Sequence, residues 1–195
     1  MFLATRQKIY SLVFCLLFSS PSEAFLERLQ TFSSEKVSTF FFENEEGKKL
    51  SLKDFQGKVV IVTYWTTRCS FCLNEMPLLD KLAQRFPEIA VLLLCKGETS
   101  FKDIHRIYEM VGVKNLRAFK DSENSSQAIF SLRGVPTTII FDRDGKMVGR
   151  LEGFANWASK DAFALIQSYL DGKNPEKPSF WKRLWLSVKF FFNRE

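Results

Sequence analysis

Eight residues, "KVVIVTYW" at 58–65, constrain the fold more than any other stretch of the chain. They are β-branched, apolar or aromatic after the first lysine, with no alternation of polar and apolar positions. A half-buried strand alternates, whereas a strand covered on both faces does not. The run predicts an internal strand with a layer of structure on each side. "IAVLLLC" at 89–95 predicts a second one. Between them Leu73, Met76, Leu79, Leu82, Ala83 and Phe86 fall near helical spacing, which predicts a helix over about 70–85, kinked at Pro77.

Weaker signals complete the outline. "TFFFENEEGKKLSL" (39–52) reads as a hairpin turning at Gly47, and "SLKDFQG" as a helical turn closed by Gly57. "TSFKDIHRIYEMVG" (99–112) predicts an amphipathic helix capped by Thr99 or Ser100 and stopped by Gly112. "NLRAF" is a short strand candidate, and "SSQAIFSLRG" (125–134) a short helix ended by glycine. "PTTIIFDRDGKMVGRLEG" (136–153) is a hairpin around Asp144-Gly145, followed by a last helix over 156–172. The polar lead-in 25–38 carries a short helix at "FLERLQTF". This order predicts an α/β sandwich with a mixed sheet. The 21 Phe include clusters at 40–42 and 190–192, which assigns part of that excess to local segments and not to the core.

The N-terminus reads as an export signal. Arg6 and Lys8 precede an apolar stretch over 9–18, too short to span a bilayer comfortably. "SSPSEA" then offers Ser22 and Ala24 at the positions a signal peptidase reads, so that 1–24 is removed. The alternative is a retained N-terminal anchor. Cys15 follows bulky Phe14 and does not read as a lipid-attachment site. Removing Arg6, Lys8 and Glu23 takes the formal charge from +6 to +5. Much of that surplus lies in a basic, aromatic tail over 173–195, with Lys177, Lys182, Arg183, Lys189 and Arg194. A basic end is not a nucleic-acid groove, and no nucleic-acid partner is expected.

Without residues 1–24 three cysteines remain: Cys69, Cys72 and Cys95. The close pair, in "TYWTTRCSFCLNEMP" (63–77), admits three readings. A zinc clip needs about four ligands, and Cys95 and His105 form no second pair, so no metal is expected. A structural staple across so small a loop constrains little. Redox exchange suits the arrangement: a cysteine in the first helical turn meets free N–H groups and the positive end of the helix dipole, both of which favour its thiolate. Cys72, one turn on, lies on the same face and can release a mixed disulfide. Cys69 is expected to be exposed and Cys72 buried. Cys95 is expected to be a buried, inert thiol, and His105 a surface or boundary residue.

Together, the Cys-x-x-Cys after an apolar strand, Trp65, Pro77 in the helix and "GVPTT" before a later strand resemble the thioredoxin fold. "LSLKDFQGKVVIVTYW", "CSFCLNEMP" and "GVPTTIIFDRDGKMVG" resemble the exported TlpA/ResA-like thiol–disulfide oxidoreductases over about residues 39–170. The resemblance implies a thioredoxin-like α/β sandwich over 39–172: a mixed central sheet flanked by helices, with an N-terminal β-hairpin extension. It implies Cys69 as the attacking and Cys72 as the resolving cysteine, and no cofactor beyond that redox-active pair. Pro136 would be a cis-proline facing the pair, with the Val135 backbone offered to a substrate strand, and Glu75 the acid that tunes thiol protonation. Trp65, Arg68 and Phe71 would line the substrate side.

Three positions depart from the wider family pattern. Thr63 replaces the buried aspartate of thioredoxin, which leaves proton transfer to Glu75. Arg68 replaces a tryptophan; its guanidinium either lowers the Cys69 pKa or points to solvent. Phe71 replaces a proline, as a substrate contact or as cover for Cys72. One pKa unit corresponds to ~30 mV, and reductants and oxidants of this fold differ by about 150 mV, so Arg68 does not set the direction by itself. The resemblance implies a periplasmic or otherwise exported reductant. Its clients would be exported thiol proteins such as apocytochrome c, and its electron donor a membrane carrier of the DsbD/CcdA type. An oxidase or isomerase would use the same atoms in reverse. The 179–195 segment, with Trp181 and Trp185, reads as an amphipathic helix for a membrane surface or for the domain itself. It keeps open a non-catalytic binding module, or a metallochaperone as in Sco-like proteins.

Overall fold

The structure is a computed structural model and describes residues 25, 28–35, 37, 39–121 and 125–173. The expected signal sequence (1–24) and the 179–195 segment of the tail lie outside the described residues. Eight strands are formed: β1 (Gln30–Glu35), β2 (Phe42–Asn44), β3 (Lys49–Leu50), β4 (Val60–Trp65), β5 (Ala90–Lys96), β6 (Ala118–Asp121), β7 (Thr137–Phe141) and β8 (Met147–Glu152). Among the described residues four helices have both ends defined: α1 (Ser70–Arg85), α2 (Phe101–Val111), α3 (Ser125–Ile129) and α4 (Lys160–Leu170), besides a 3-10 turn at Leu52–Phe55; Phe25 and Arg28 are also helical. One mixed sheet holds all eight strands in the order β1-β8-β7-β4-β5-β6-β2-β3. Strands β4, β5 and β6 run parallel, and the outer neighbours are antiparallel. This is the α/β sandwich that the two apolar runs predict, with the 42–50 hairpin extending it at one edge.

Strand β4 shows why its sequence does not alternate. Val60, Val62 and Tyr64 face one apolar cluster with Leu92, Leu94, Ile139 and Phe141. Ile61 and Trp65 face the other, with Val91, Leu93, Cys95 and Ile140. Every residue of β4 is buried. Each large apolar side chain hidden in this way contributes roughly 1.5–3 kcal/mol of transfer free energy. The second cluster is covered by α1 through Met76, Leu79 and Leu82, by α2 through Ile104 and Tyr108, and by α4 through Leu165, Ile166 and Tyr169.

The first cluster is built largely of phenylalanine. Phe40 and Phe42 are buried in it, and rings of Phe40 and Phe130 meet edge to face at 5.1 Å, those of Phe42 and Phe119 at 5.5 Å. The 40–42 run is therefore a core feature, contrary to the compositional reading. Only Phe41, on the other side of the extended chain, is exposed.

Three local expectations change. Gln30–Phe32, expected at the end of a short helix, lie in β1, which among the described residues pairs only with β8. An edge strand has one partner, so the polar "QTFSSE" carries no strong β signal. Helix α3 stops at Ile129, and the left-handed residue after it is Ser131 (φ 47°), not the glycine expected to end it. Helix α4 begins at Lys160, with Ser159 as its cap. The residues before it, including Trp157, are free to leave the helix path and reach the site. Among the described residues, no helix is long and apolar enough to cross a membrane.

Candidate active site

Helix α1 begins where β4 ends. The chain turns through residues 66–68, with the Cys69 N–H donating to the Thr66 carbonyl at 3.2 Å. Cys69 then occupies the N-cap, with an extended backbone (φ −95°, ψ 97°). Its carbonyl accepts the N–H of Leu73 at 3.1 Å, and its Sγ accepts the N–H of Cys72 at 3.1 Å. A serine or aspartate oxygen commonly fills this capping role; here a sulfur does. The first turn of α1 holds no acidic residue, so the helix's positive end is not neutralised there. Cys69 and Cys72 form a disulfide, with Cα atoms 5.2 Å apart. Cys69 is partly exposed and Cys72 only 1% exposed, which gives the two sulfurs the unequal access expected of them.

The neighbours divide into an outer and an inner set. Arg68 is exposed and Phe71 is 64% exposed, so the phenyl ring points outward and does not cover Cys72. Trp65, expected on the substrate side, is fully buried, with its ring 6.2 Å from that of Tyr108. It ends a strand whose residues are all covered, beneath the loop that leads to Cys69. Thr63 is also buried and shares a hydrogen bond of 2.9 Å with Thr138 on β7.

Glu75 is the principal inner group. It lies three residues beyond Cys72 on the same helix face and is fully buried. Its Oε1 accepts from the indole Nε1 of Trp157 at 2.6 Å and from the N–H of Ala155 at 3.2 Å. Its Oε2 is buried with no hydrogen-bond partner among the described residues. Burial pushes the carboxyl up to about 7; the bonds from Trp157 and Ala155 and the charge of Arg28 act in the opposite direction. A carboxyl poised there can hold or release a proton near neutral pH. Trp157, Ala155 and Arg28 were not evident from the sequence: no local spacing brings residues 28 and 157 to residue 75.

The fourth part of the site comes from the loop before β7. Tyr64 pairs with Thr137, so residues after β4 and before β7 emerge at the same edge of the sheet. The Val135–Pro136 bond is cis. Val135 is half-buried and Pro136 buried; both line a depression of about 210 Å³ with Arg133, Gly134, Thr137, Glu152 and Gly153. The Pro136 carbonyl accepts the N–H of Gly153 at 2.7 Å. A larger depression of about 320 Å³ lies at the other end of β4, against Val60 and Lys146. No cysteine lines either depression; the smaller one lies at the end of the sheet where the loop leading to Cys69 also emerges.

Cys95 is a free, buried thiol whose pKa burial raises. His105 is exposed and meets Glu45 at 2.8 Å. Among the described residues no group of His, Cys, Asp and Glu is arranged to hold a metal ion.

The chain is similar in sequence and fold to known proteins. The sequence model of the AhpC/TSA family matches residues 33–163. The thiol-disulfide oxidoreductase ResA of Bacillus thuringiensis is 31% identical over 124 residues, which cover 61% of this chain and 69% of that protein. The exposed lipoprotein thioredoxin Etrx1 of Streptococcus pneumoniae superposes with a TM-score of 0.55 at 27% identity, over 69% of this chain and 99% of that one. A secreted thiol-disulfide isomerase of Corynebacterium glutamicum, at 18% identity, shares the fold with a TM-score of 0.62 over 79% and 96% of the two chains. With a disulfide-forming Cys-x-x-Cys at the mouth of helix α1, the chain belongs to the AhpC/TSA family and is a thioredoxin-fold thiol–disulfide oxidoreductase of the ResA type.

Proposed function

We propose that the protein is exported and reduces disulfides in exported client proteins, with apocytochrome c the leading candidate. The observation that carries this reading is the pairing of a partly exposed N-cap sulfur with a second sulfur buried above an acid poised near neutrality. In the reduced enzyme the Cys69 thiolate attacks one sulfur of the client disulfide, and the other client sulfur leaves as a thiolate. Cys72 gives its proton to Glu75 and attacks the Cys69 sulfur. The client's second sulfur leaves, so the client gains two electrons and the enzyme ends as the Cys69–Cys72 disulfide. The client strand lies along Val135 and Pro136, with Arg68 and Phe71 at its flank. The dithiol pair is the only redox group this cycle needs, and a membrane dithiol carrier of the DsbD/CcdA type restores it. The 179–195 segment would keep the enzyme at the membrane surface on the periplasmic side.

A Cys72→Ser variant of the full chain tests the cycle. It should accumulate mixed disulfides with exported proteins through Cys69 in the parent cell, and lose them when Cys69 is also replaced. No Cys69-dependent adduct would defeat the mechanism. The direction is read separately: a reductant needs a Cys69–Cys72 potential well below the ~−120 mV of a strong oxidant.

A further inference from the structure

The residues that complete the Glu75 environment lie in one stretch, Glu152–Trp157, made of the last residue of β8 and the loop after it, and that loop is held from outside by a segment preceding β1. Arg28 donates from Nη1 to the Phe154 carbonyl at 2.8 Å and from Nη2 to the Glu152 carbonyl. Between these carbonyls sits Gly153, with φ +77°, where an added Cβ would stand 3.0 Å from the Arg28 Nη2. The positive φ favours glycine, and a side chain there would also push the guanidinium outward by a few tenths of an ångström. Phe25 packs edge to face on Trp157, with ring centroids 5.3 Å apart. The loop so gripped sends the Gly153 N–H to Pro136 and the Ala155 N–H and Trp157 indole to Glu75. One arginine thus braces a loop that touches both the cis-proline and the buried acid.

We infer that Arg28 is a positioning residue of the redox site: it holds the 152–157 loop in register with Glu75 and Pro136 and sets a fixed positive charge on the Glu75 side of the domain. The inference rests on Glu75 serving the cysteine pair. Its charge acts in a sparse setting. Of the other charged groups, Glu152 on the loop is paired with Arg150 at 2.7 Å. Asp80, farther along α1, is occupied by Asn115. Asp161 lies in the first turn of α4. Among the described residues Arg28 is the one charge that acts on the Glu75 ionisation, and it favours the carboxylate. A guanidinium suits the task because its fork reaches two carbonyls at once, which an ammonium on a single stem does not.

The test uses the full chain in its oxidised form, with Arg28→Gln and Arg28→Lys. The Glu75 carboxyl is titrated by carbon-13 NMR, and amide exchange is followed at Gly153 and Ala155. Arg28→Gln should move the Glu75 midpoint upward and speed exchange of both amides roughly tenfold, as for loss of a charge-assisted hydrogen bond. Arg28→Lys should keep the midpoint near that of the parent while the amides still exchange faster. A parent-like midpoint and parent-like exchange in Arg28→Gln would overturn the inference, as would a lower melting temperature with neither change. If Arg28→Gln does not fold, unchanged exchange in Arg28→Lys overturns it equally. The readouts involve no turnover. A failure of the Glu75 chemistry itself would show elsewhere, as a Glu75→Gln enzyme that resolves mixed disulfides at the parent rate.

Discussion

Two buried acids stand five residues apart on helix α1, and their surroundings differ. Asp80 accepts from the Asn115 N–H at 2.9 Å on one oxygen. Its other oxygen accepts from Asn115 Nδ2 at 2.9 Å, Gln84 Nε2 at 3.0 Å and the Lys114 N–H at 3.4 Å. Glu75 has two donors crowded on one oxygen and none on the other among the described residues. A buried carboxylate needs its lone pairs satisfied, and Asp80 meets that need while Glu75 does not. Asp80 works as a clamp, tying α1 to the chain that follows α2. Glu75 is left with capacity to change its protonation, and it lies one turn from Cys72. The difference teaches that burial of an acid is by itself no evidence of function; what meets its oxygens, and what lies one turn away, separates the two.

The largest effect expected from this contrast is structural. Asp80→Ala strands the amides of residues 114–115 and should cost about 4 kcal/mol of unfolding free energy, while insulin reduction per folded molecule stays within about twofold. A folded Asp80→Ala protein that had lost exchange activity would break the division of labour between the two acids.

The second effect is a pH dependence. The folded-state pKa of Glu75, about 7, lies above the ordinary 4.5. Its neutral form therefore contributes stability that is fully present below 4.5, erodes as pH rises from there through about 7, and is gone above. Between pH 5 and pH 8 the oxidised parent should lose about 2 kcal/mol relative to Glu75→Gln, read from paired urea titrations. Parallel curves for the two proteins would mean that Glu75 is as well satisfied as Asp80.

The smallest effect belongs to the exposed rim. Phe71→Ala should leave stability within about 0.5 kcal/mol, since the ring is 64% exposed. It should lower kcat/KM for a protein disulfide about fivefold and leave a small-molecule disulfide unaffected. Equal losses on both substrates would place Phe71 with the inner groups instead.

Much of this architecture is written locally. The non-alternating run over 58–65, the helical spacing over 70–85 and the glycine-stopped helix ending at Gly112 each depend on residues within a few positions of one another. The same holds for Cys69 and Cys72, whose unequal burial follows from a cap followed by one helical turn. Other features were hidden. Strand β1 carries few apolar residues because it has a neighbour on one side only. The resemblance places Trp65 on the substrate side, but the side chain is fully buried at the end of a strand covered on both sides. A carboxylate on a helix gives no sign in the sequence of which donors will meet it.

Chain-local order settled the elements, the sandwich they form and the placing of a sulfur pair at a helix mouth, because periodicity and capping act over one or two turns. The state of Glu75 was settled elsewhere. Its donors come from residues 155 and 157 and its counter-charge from residue 28, brought together only when β8 and the segment before β1 close over α1. Burial and electrostatic strength belong to that assembled surrounding, because a charge responds to whatever replaces its water, wherever in the chain the replacement arises.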